Sequence, residues 1–368
     1  MKIGIVGLPR VGKTTVFSIL TEGRVDSARA GSREVHTGIA YVPNPRLDRL
    51  AEIVKSKKVT HAAIEYVDLP GISRGEGKSA LEGHAREMSA YLNSVKNVDA
   101  LLHVVRAFDD PNVAHEEGTI NPRRDAELLD LELIFSDLAI VEKRRERLAK
   151  DLKKVKSQEL EMEYELLSRF QACLEQERPL RTLEITPEEE KRTRGFTFLS
   201  AKPQLLVVNL GDEDAQKIPR VAQEFGLQTL AAMRKVRITA VCGKIEAEIA
   251  ALAPQDQQVF WEDFGFTDSA RERIIRESYR LLDVFPFYTA SETEAKSWTI
   301  PRNTTALQAA GMIHSDMEKG FIKAEVISFE DLIRVGSFQA AKSQGVLRLE
   351  GKEYLVQEGD VILFRFNL

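Results

Sequence analysis

The sequence predicts an α/β protein built on a doubly wound, mostly parallel sheet, and three observations carry that prediction. Short apolar runs recur at Lys2–Val6, Ile64–Val67, Ala100–Val105, Leu205–Val208 and Arg237–Val241. Helix-compatible stretches lie between most of them, and strands alternating with helices build parallel sheets. The first run ends in a glycine loop that opens a helix near Lys13, as a buried parallel strand does. Right-handed crossovers then bring every loop at the strand C-termini to one rim, where ligands bind.

Composition sets the outer limits. At 368 residues two or three domains are expected, and 43% hydrophobic with 30% charged residues leaves ample material for buried cores. The formal net charge is −5, so the surface as a whole does not attract nucleic acid, and any such contact needs a local patch. DNA is not an expected partner. The two cysteines, Cys173 and Cys242, form neither a disulfide framework nor a metal cluster and fit a reducing cytosol. With no secretory signal pattern and no apolar run near membrane-spanning length, a soluble, cytoplasmic, monomeric protein without membrane contact is expected.

The alternation of strands and helices is interrupted once. From about Asp125 to Lys191 the chain turns strongly charged and helical. Ile134, Leu138, Val141, Leu148, Leu152 and Val155 fall at spacings of three, four and seven, a heptad seam. Leu160, Leu167, Phe170 and Leu174 form a second series after a polar break near Ser157. An inserted antiparallel helical hairpin over 125–195 is the expectation; one long helix folded onto the core is the alternative. After about Phe285, short β-like segments at Ser297–Ile300, Gly320–Val326, Glu353–Val356 and Asp360–Phe366 are set off by glycine turns, a small α+β domain over 285–368. Residues 1–124 and 196–284 would then form the main domain.

The loop Gly7-Leu8-Pro9-Arg10-Val11-Gly12-Lys13-Thr14, followed by Thr15, matches G-x-x-x-x-G-K-[ST] in full. Its glycines let successive N–H groups turn inward as a nest for phosphate oxygens, and the helix that follows adds the positive end of its dipole. Lys13 is expected on the β- and γ-phosphates, as a catalytic charge, and the Thr14 hydroxyl on Mg²⁺. A strand ending in Asp68, with Gly71 three residues on, would supply the second carboxylate to the metal and an N–H that senses the γ-phosphate. These features predict a P-loop nucleoside triphosphatase.

The base pocket is expected at Asn209-Leu210-Gly211-Asp212 and at Cys242-Gly243-Lys244, which end later strands. An aspartate such as Asp212 accepts both ring donors of guanine. Leu210, however, stands where guanine-specific proteins carry a lysine over the base. The two clues point in opposite directions.

Beyond these motifs, residues along nearly the whole chain resemble the Obg-like ATPases, the YchF family. The resemblance is carried by Val42-Pro-Asn-Pro-Arg-Leu-Asp48-Arg-Leu, Glu65-Tyr-Val-Asp68, His103-Val-Val-Arg106-Ala-Phe and His115-Glu-Glu-Gly118-Thr-Ile-Asn-Pro122. It continues in Trp298-Thr-Ile-Pro, in the segment from Gln308 through Gly311 and His314 to Phe321, in Ile327-Ser-Phe-Glu-Asp331, and in Phe364-Arg-Phe-Asn. The last blocks are similar to a TGS domain. The resemblance implies an ATPase core, a helical (coiled-coil) insertion, a TGS domain that contacts RNA, preference for ATP over GTP, and association with ribosomes. The family carries N-x-x-E where this chain has Asp212, so GTP stays open as the alternative substrate. Switch I also departs from the family pattern, with Ser32 and Thr37 as candidate metal ligands. The loop around Ser79 and His84 departs as well.

Ras-like enzymes orient the attacking water with a glutamine just after D-x-x-G. Ile72 stands there and cannot make a hydrogen bond. The resemblance implies His115 as the substitute, with His84 a weaker rival; a solvated loop histidine is the alternative reading. His103, inside an apolar strand, reads as a core residue, and His314 as surface or packing. Finally, residues 143–156 hold eight basic and two acidic side chains. Lys143, Arg144, Arg145, Arg147, Lys150, Lys153 and Lys154 are therefore candidates for contact with RNA or the ribosome; an ordinary solvated helix face is the alternative. From Phe285 onward nine basic residues face eleven acidic ones, so contact there would rest on a small patch such as Lys319, Lys323, Arg334 and Lys342.

Overall fold

The computed structural model describes residues 1–23, 36–69 and 91–367. It divides into two compact units, Met1–Ala40 with Glu65–Leu281, and Tyr41–Ile64 with Leu282–Leu368.

The first unit is a P-loop NTPase fold. Its strands are β1 (Lys2–Val6), β2 (His36–Tyr41), β4 (Ala63–Asp68), β5 (Ala100–Arg106), β6 (Gln204–Asn209) and β7 (Val236–Val241), while β3 (Val59–Thr60) belongs to the second sheet. The sheet order is β2-β4-β1-β5-β6-β7. β1 lies parallel to β4 and β5, β5 to β6, and β6 to β7. β5 and β6 are buried at every position, which explains why they read as continuous apolar runs rather than alternating ones. Helix α1 (Lys13–Thr21) follows the glycine loop and buries Val16, Phe17, Ile19 and Leu20. β2 escaped the sequence reading because its pattern is broken by exposed His36, Ile39 and Tyr41.

Two long helices make the hairpin of the insertion, and a short helix, Pro187–Thr193, follows them. Asn121 caps helix α3 (Pro122–Leu152) by accepting from the Arg124 N–H, with Pro122 in the first turn; Ser157 caps helix α4 (Gln158–Leu174). Ile134, Val141 and Leu148 of α3 join Leu166, Leu167, Phe170 and Leu174 of α4 in one buried cluster, with Leu138 and Leu160 partly buried against it. The seam stops short of Val155, which is 58% exposed, because the helix ends at Leu152. At the root, the buried carboxylate of Asp137 accepts from the N–H groups of Leu199 and Ser200 at 2.9 and 2.8 Å and from the Ser200 hydroxyl at 2.7 Å. Arg181, fully buried, donates to Asp130 on α3 and to Gln204 on β6, each at 2.8 Å. Gln204 in turn meets His103 Nδ1 at 2.9 Å. His103 is thus a buried member of a polar network, and burial lowers its pKa to about 3.

The second unit corrects the domain boundary expected from sequence. Residues 41–64 pack with the C-terminal unit rather than with the main domain. The cause is helix α2 (Pro45–Val54), whose Leu47, Leu50 and Ala51 share a core with Tyr288, Ala295, Ile327 and Val361. Asn44, the α2 cap, also exchanges hydrogen bonds with the Tyr288 hydroxyl at 3.0 and 3.1 Å. The sheet adds β8 (Val284–Ala290), β9 (Ala295–Pro301), β10 (Phe321–Ser328), β11 (Arg348–Glu350) and β12 (Asp360–Phe366), in the order β11-β10-β12-β8-β9-β3. Glu353–Val356 is not a strand: Leu355 makes an isolated bridge to Thr305, and β11 pairs with β10 instead. A second core of Phe285, Phe287, Ala309, Phe321 and Ile362 fills the other face.

Candidate nucleotide-binding site

The loops at the C-terminal ends of β1, β4, β5, β6 and β7 line one cleft of about 1250 Å³ in the first unit. Its lining includes Pro9, Arg10, Gly12, Lys13, Thr14 and Thr15 from the glycine loop, Asp68 and Leu69, residues 108–113, Asn209 to Asp212, and Lys244 with Ala247. His36 lines it as well.

The glycines are required by geometry. Gly7 has φ 143° and a Cβ there would meet the Val104 carbonyl at 2.3 Å; Gly12 has φ 97° and a Cβ would meet Asn209 Nδ2 at 2.3 Å. Lys13 Nζ donates to the carbonyls of Gly7 at 3.0 Å and Leu8 at 2.8 Å, so the loop curls around its own ammonium. Burial lowers the Lys13 pKa to about 8, against the partial compensation of Asp68. Thr14 Oγ1 donates to Asp68 Oδ2 at 3.0 Å. Asp68 is buried, and that burial raises its pKa above the usual carboxylate value, opposed by the Thr14 hydrogen bond and by Lys13. A hydroxyl and a buried carboxylate thus share one corner of the cleft.

Gly7, Leu8 and Val11 shape the loop without lining the cleft: Leu8 offers its carbonyl to Lys13, and Val11 is 1% exposed. At the other end the assigned roles change. Asn209 spends both amide atoms internally, donating to Val11 O and accepting from Gly243 N, each at 3.0 Å. It is a staple between the glycine loop and the turn after β7. Gly243 is packed against it, since a Cβ would meet Asn209 Oδ1 at 2.7 Å. Cys242 is buried in the core and lies off the cleft, its thiol pushed up to about 12 by burial. Leu210 reaches the cleft wall, yet its side chain belongs to the core with Val208 and Ala240. Asp212 and Lys244 form an ion pair at 3.5 Å on the cleft wall.

His115 does not line the cleft. Its side chain is 6% exposed, its Nε2 lies 3.0 Å from Asp125 Oδ2, and its Nδ1 accepts from the Glu117 N–H at 3.1 Å. The ring therefore lies against the first turn of α3, close to Asp125 but hydrogen-bonded only through Nδ1, and can reach a phosphate only by moving off both contacts. Thr37 lies on β2 and does not line the cleft; its neighbour His36 does. Gly71, Ile72, Ser32, Ser79 and His84 lie outside the described residues.

The basic run of the hairpin divides in two. Arg144 forms a paired salt bridge to Glu163 on α4, at 2.7 and 2.8 Å, which raises its pKa, and Arg145 stacks on Tyr164 with its guanidinium 4.9 Å from the ring centre. Both hold the two helices together. Lys143, Arg147, Lys150, Lys153 and Lys154 are not tied down in this way among the described residues, and all five are exposed.

Sequence reasoning missed the 108–113 loop, His36, Leu69 and Ala247. The signal was available: Phe108 follows closely on β5, and loops at the C-terminal ends of parallel strands carry ligands.

Similarity to known proteins agrees with this geometry. Residues 2–135 match the family model described as "50S ribosome-binding GTPase", and residues 284–367 match the YchF-GTPase_C model, "Protein of unknown function (DUF933)". The "Ribosome-binding ATPase YchF" of Bacillus subtilis (strain 168) is 40% identical over 99% of both chains. That of Escherichia coli O157:H7 is 37% identical over 100% of this chain and 99% of its own. The structure of the Schizosaccharomyces pombe YchF GTPase superposes with a TM-score of 0.82 at 27% identity, covering 99% of this chain and 97% of its own. The chain belongs to the YchF family.

Proposed function

We propose that this chain is an ATP-hydrolysing P-loop NTPase that associates with ribosomes, with GTP as the competing substrate. The arrangement that carries the reading is the corner where Lys13 lies curled in the glycine loop beside the Thr14–Asp68 pair. A triphosphate bound there would replace the loop carbonyls as the partner of Lys13, and the loop N–H groups would take its oxygens. Thr14 and Asp68 offer two hard oxygen donors side by side, a set that fits Mg²⁺, with Thr14 as direct ligand and Asp68 acting through water. Held by Thr14 and Asp68, such an ion would supply positive charge to the developing negative charge of the phosphates. Lys13 would stabilise the same charge from the other side.

With isoleucine after the D-x-x-G motif, water must be oriented by another group. We assign that task to His115, which must leave Asp125 to perform it. The lysines and Arg147 at the hairpin tip form a cationic cluster that would engage RNA phosphates of the ribosome. The second unit is read as a TGS domain. The test is single-turnover hydrolysis of ATP and of GTP, with and without ribosomes. Failure to bind either triphosphate would sink the reading, and slower hydrolysis of ATP than of GTP would make the chain a GTPase. That second reading has its own support in Asp212, a carboxylate on the cleft wall.

A further inference from the structure

Arg106, the last residue of β5, is 2% exposed and is used by none of the roles above. Its guanidinium donates to three backbone carbonyls of the loop that follows: Nε to Phe108 O at 3.0 Å, Nη1 to Val113 O at 2.8 Å and Nη2 to Asp110 O at 3.4 Å. It also lies over the Phe108 ring, 4.4 Å from its centre. A planar, multi-donor fork can tie together carbonyls from one end of a loop to the other, which a single ammonium cannot do. Residues 108–113 all line the cleft. The loop's near side lies at the Asn209–Asp212 end: Ala107 N donates to Asn209 O at 2.8 Å, and a Cβ on Gly211 would stand 4.0 Å from Phe108 Cβ; only at Ala114, past Val113, does the segment meet the glycine loop, through Arg10 Nη1 at 3.5 Å. The phosphate corner is built from other elements, β1, α1 and β4.

We propose that Arg106 is a positioning residue for recognition of the nucleoside: it freezes the 108–113 loop into the wall against which base and ribose bind, and has no part in holding phosphate. The inference rests on the nucleotide-binding reading of the cleft. It follows that removing Arg106 weakens ligands in proportion to what they place at that end. A nucleoside triphosphate has base and ribose to lose; inorganic tripolyphosphate has neither.

The experiment is calorimetric titration of the full-length chain, wild type, Arg106→Ala and Arg106→Lys, with Mg²⁺-ATP and with Mg²⁺-tripolyphosphate. In Arg106→Ala the Kd for ATP should rise about tenfold or more, as misplacement of a binding wall does, while the Kd for tripolyphosphate stays within about twofold. Arg106→Lys keeps the cation and the aliphatic stem but not the fork, so it should show the same split with a smaller loss for ATP. It carries the test if the alanine variant does not fold. Equal weakening of both ligands would make Arg106 a general prop of the fold and overturn the inference, as would unchanged affinity for both. If the wild type binds tripolyphosphate but gains nothing from the nucleoside, the cleft reading itself falls, and this inference with it.

Discussion

Lys13 can be tested first by pH alone. Its ammonium is buried among the loop's own carbonyls, and burial lowers its pKa from the ordinary 10.5 to about 8. Without ligand, then, the group is half deprotonated near pH 8. A bound triphosphate adds several negative charges within reach and must raise that pKa again. The complex therefore holds more protons than the free protein above pH 8, and affinity must fall as pH rises. The weakening factor is one plus ten to the power of pH minus about 8: roughly twofold at pH 8 and roughly tenfold at pH 9, or about 1.4 kcal/mol. The nucleotide's own charge is constant in this range, since a terminal phosphate titrates near 6. Folding runs the other way. Because the folded pKa lies below the unfolded one, the unfolded chain binds more protons between about 8 and 10.5, so the empty protein gains stability across that window as pH rises. Titration of ATP from pH 7 to 9 in buffers of different ionisation enthalpy measures both the affinity and the proton taken up. Lys13→Arg, which stays charged throughout, should lose the pH slope whatever its absolute affinity. A Kd constant from pH 7 to 9, or no buffer dependence of the heat at pH 9, would refute the buried-ammonium argument.

Four other perturbations separate the remaining roles. His115→Ala should lower single-turnover hydrolysis by about 10²-fold with little change in ATP affinity; equal rates would make the histidine a partner of Asp125 and nothing more. Asp212→Asn removes a carboxylate able to accept two guanine donors, so GTP should weaken by about tenfold while ATP changes little; an unchanged ratio of the two affinities means that the base is read elsewhere. Replacing Lys150, Lys153 and Lys154 with glutamate should weaken ribosome binding and flatten its salt dependence, the slope falling by about 0.7 to 0.9 for each phosphate no longer neutralised; an unchanged slope assigns the cluster to a solvated surface. Asp137→Ala leaves the buried N–H groups of Leu199 and Ser200 without their acceptor. At about 1–3 kcal/mol per orphaned group, thermal unfolding should move down by several degrees, and a shift below about one degree would mean that the root repacks.

What was legible in the sequence was what lies on contiguous residues. The glycine loop, Lys13 and Thr14 occupy one stretch, and each apolar strand carries its own run of residues, so motif and period sufficed for both. The heptad series was legible for the same reason, up to the point where the helix ends. What stayed hidden depends on pairs far apart in the chain. Nothing local to residues 45–54 says that Leu47 and Leu50 will share a core with Ile327 and Val361, so the sequence places that helix in the wrong unit. Arg144 and Arg145 read as free positive charge because Glu163 and Tyr164 are each 19 residues away across the hairpin turn.

Asn209 shows how far such a pairing can change a meaning. Read along the strand, it opens an N-x-x-D signature and looks like a reader of the base. In space its amide oxygen takes the N–H of Gly243 and its amide nitrogen gives to Val11 O. The same side chain is what a Cβ at Gly12 or at Gly243 would strike. The glycine at position 12 therefore serves two purposes at once, a left-handed turn for the phosphate nest and room for the staple that ties the nest to the base loop. A substitution at Asn209 should accordingly loosen phosphate and nucleoside together, whereas one at Arg106 should loosen the nucleoside alone. The contrast between those two neighbours is written in their hydrogen bonds: one joins the cleft's two ends, the other closes a single wall.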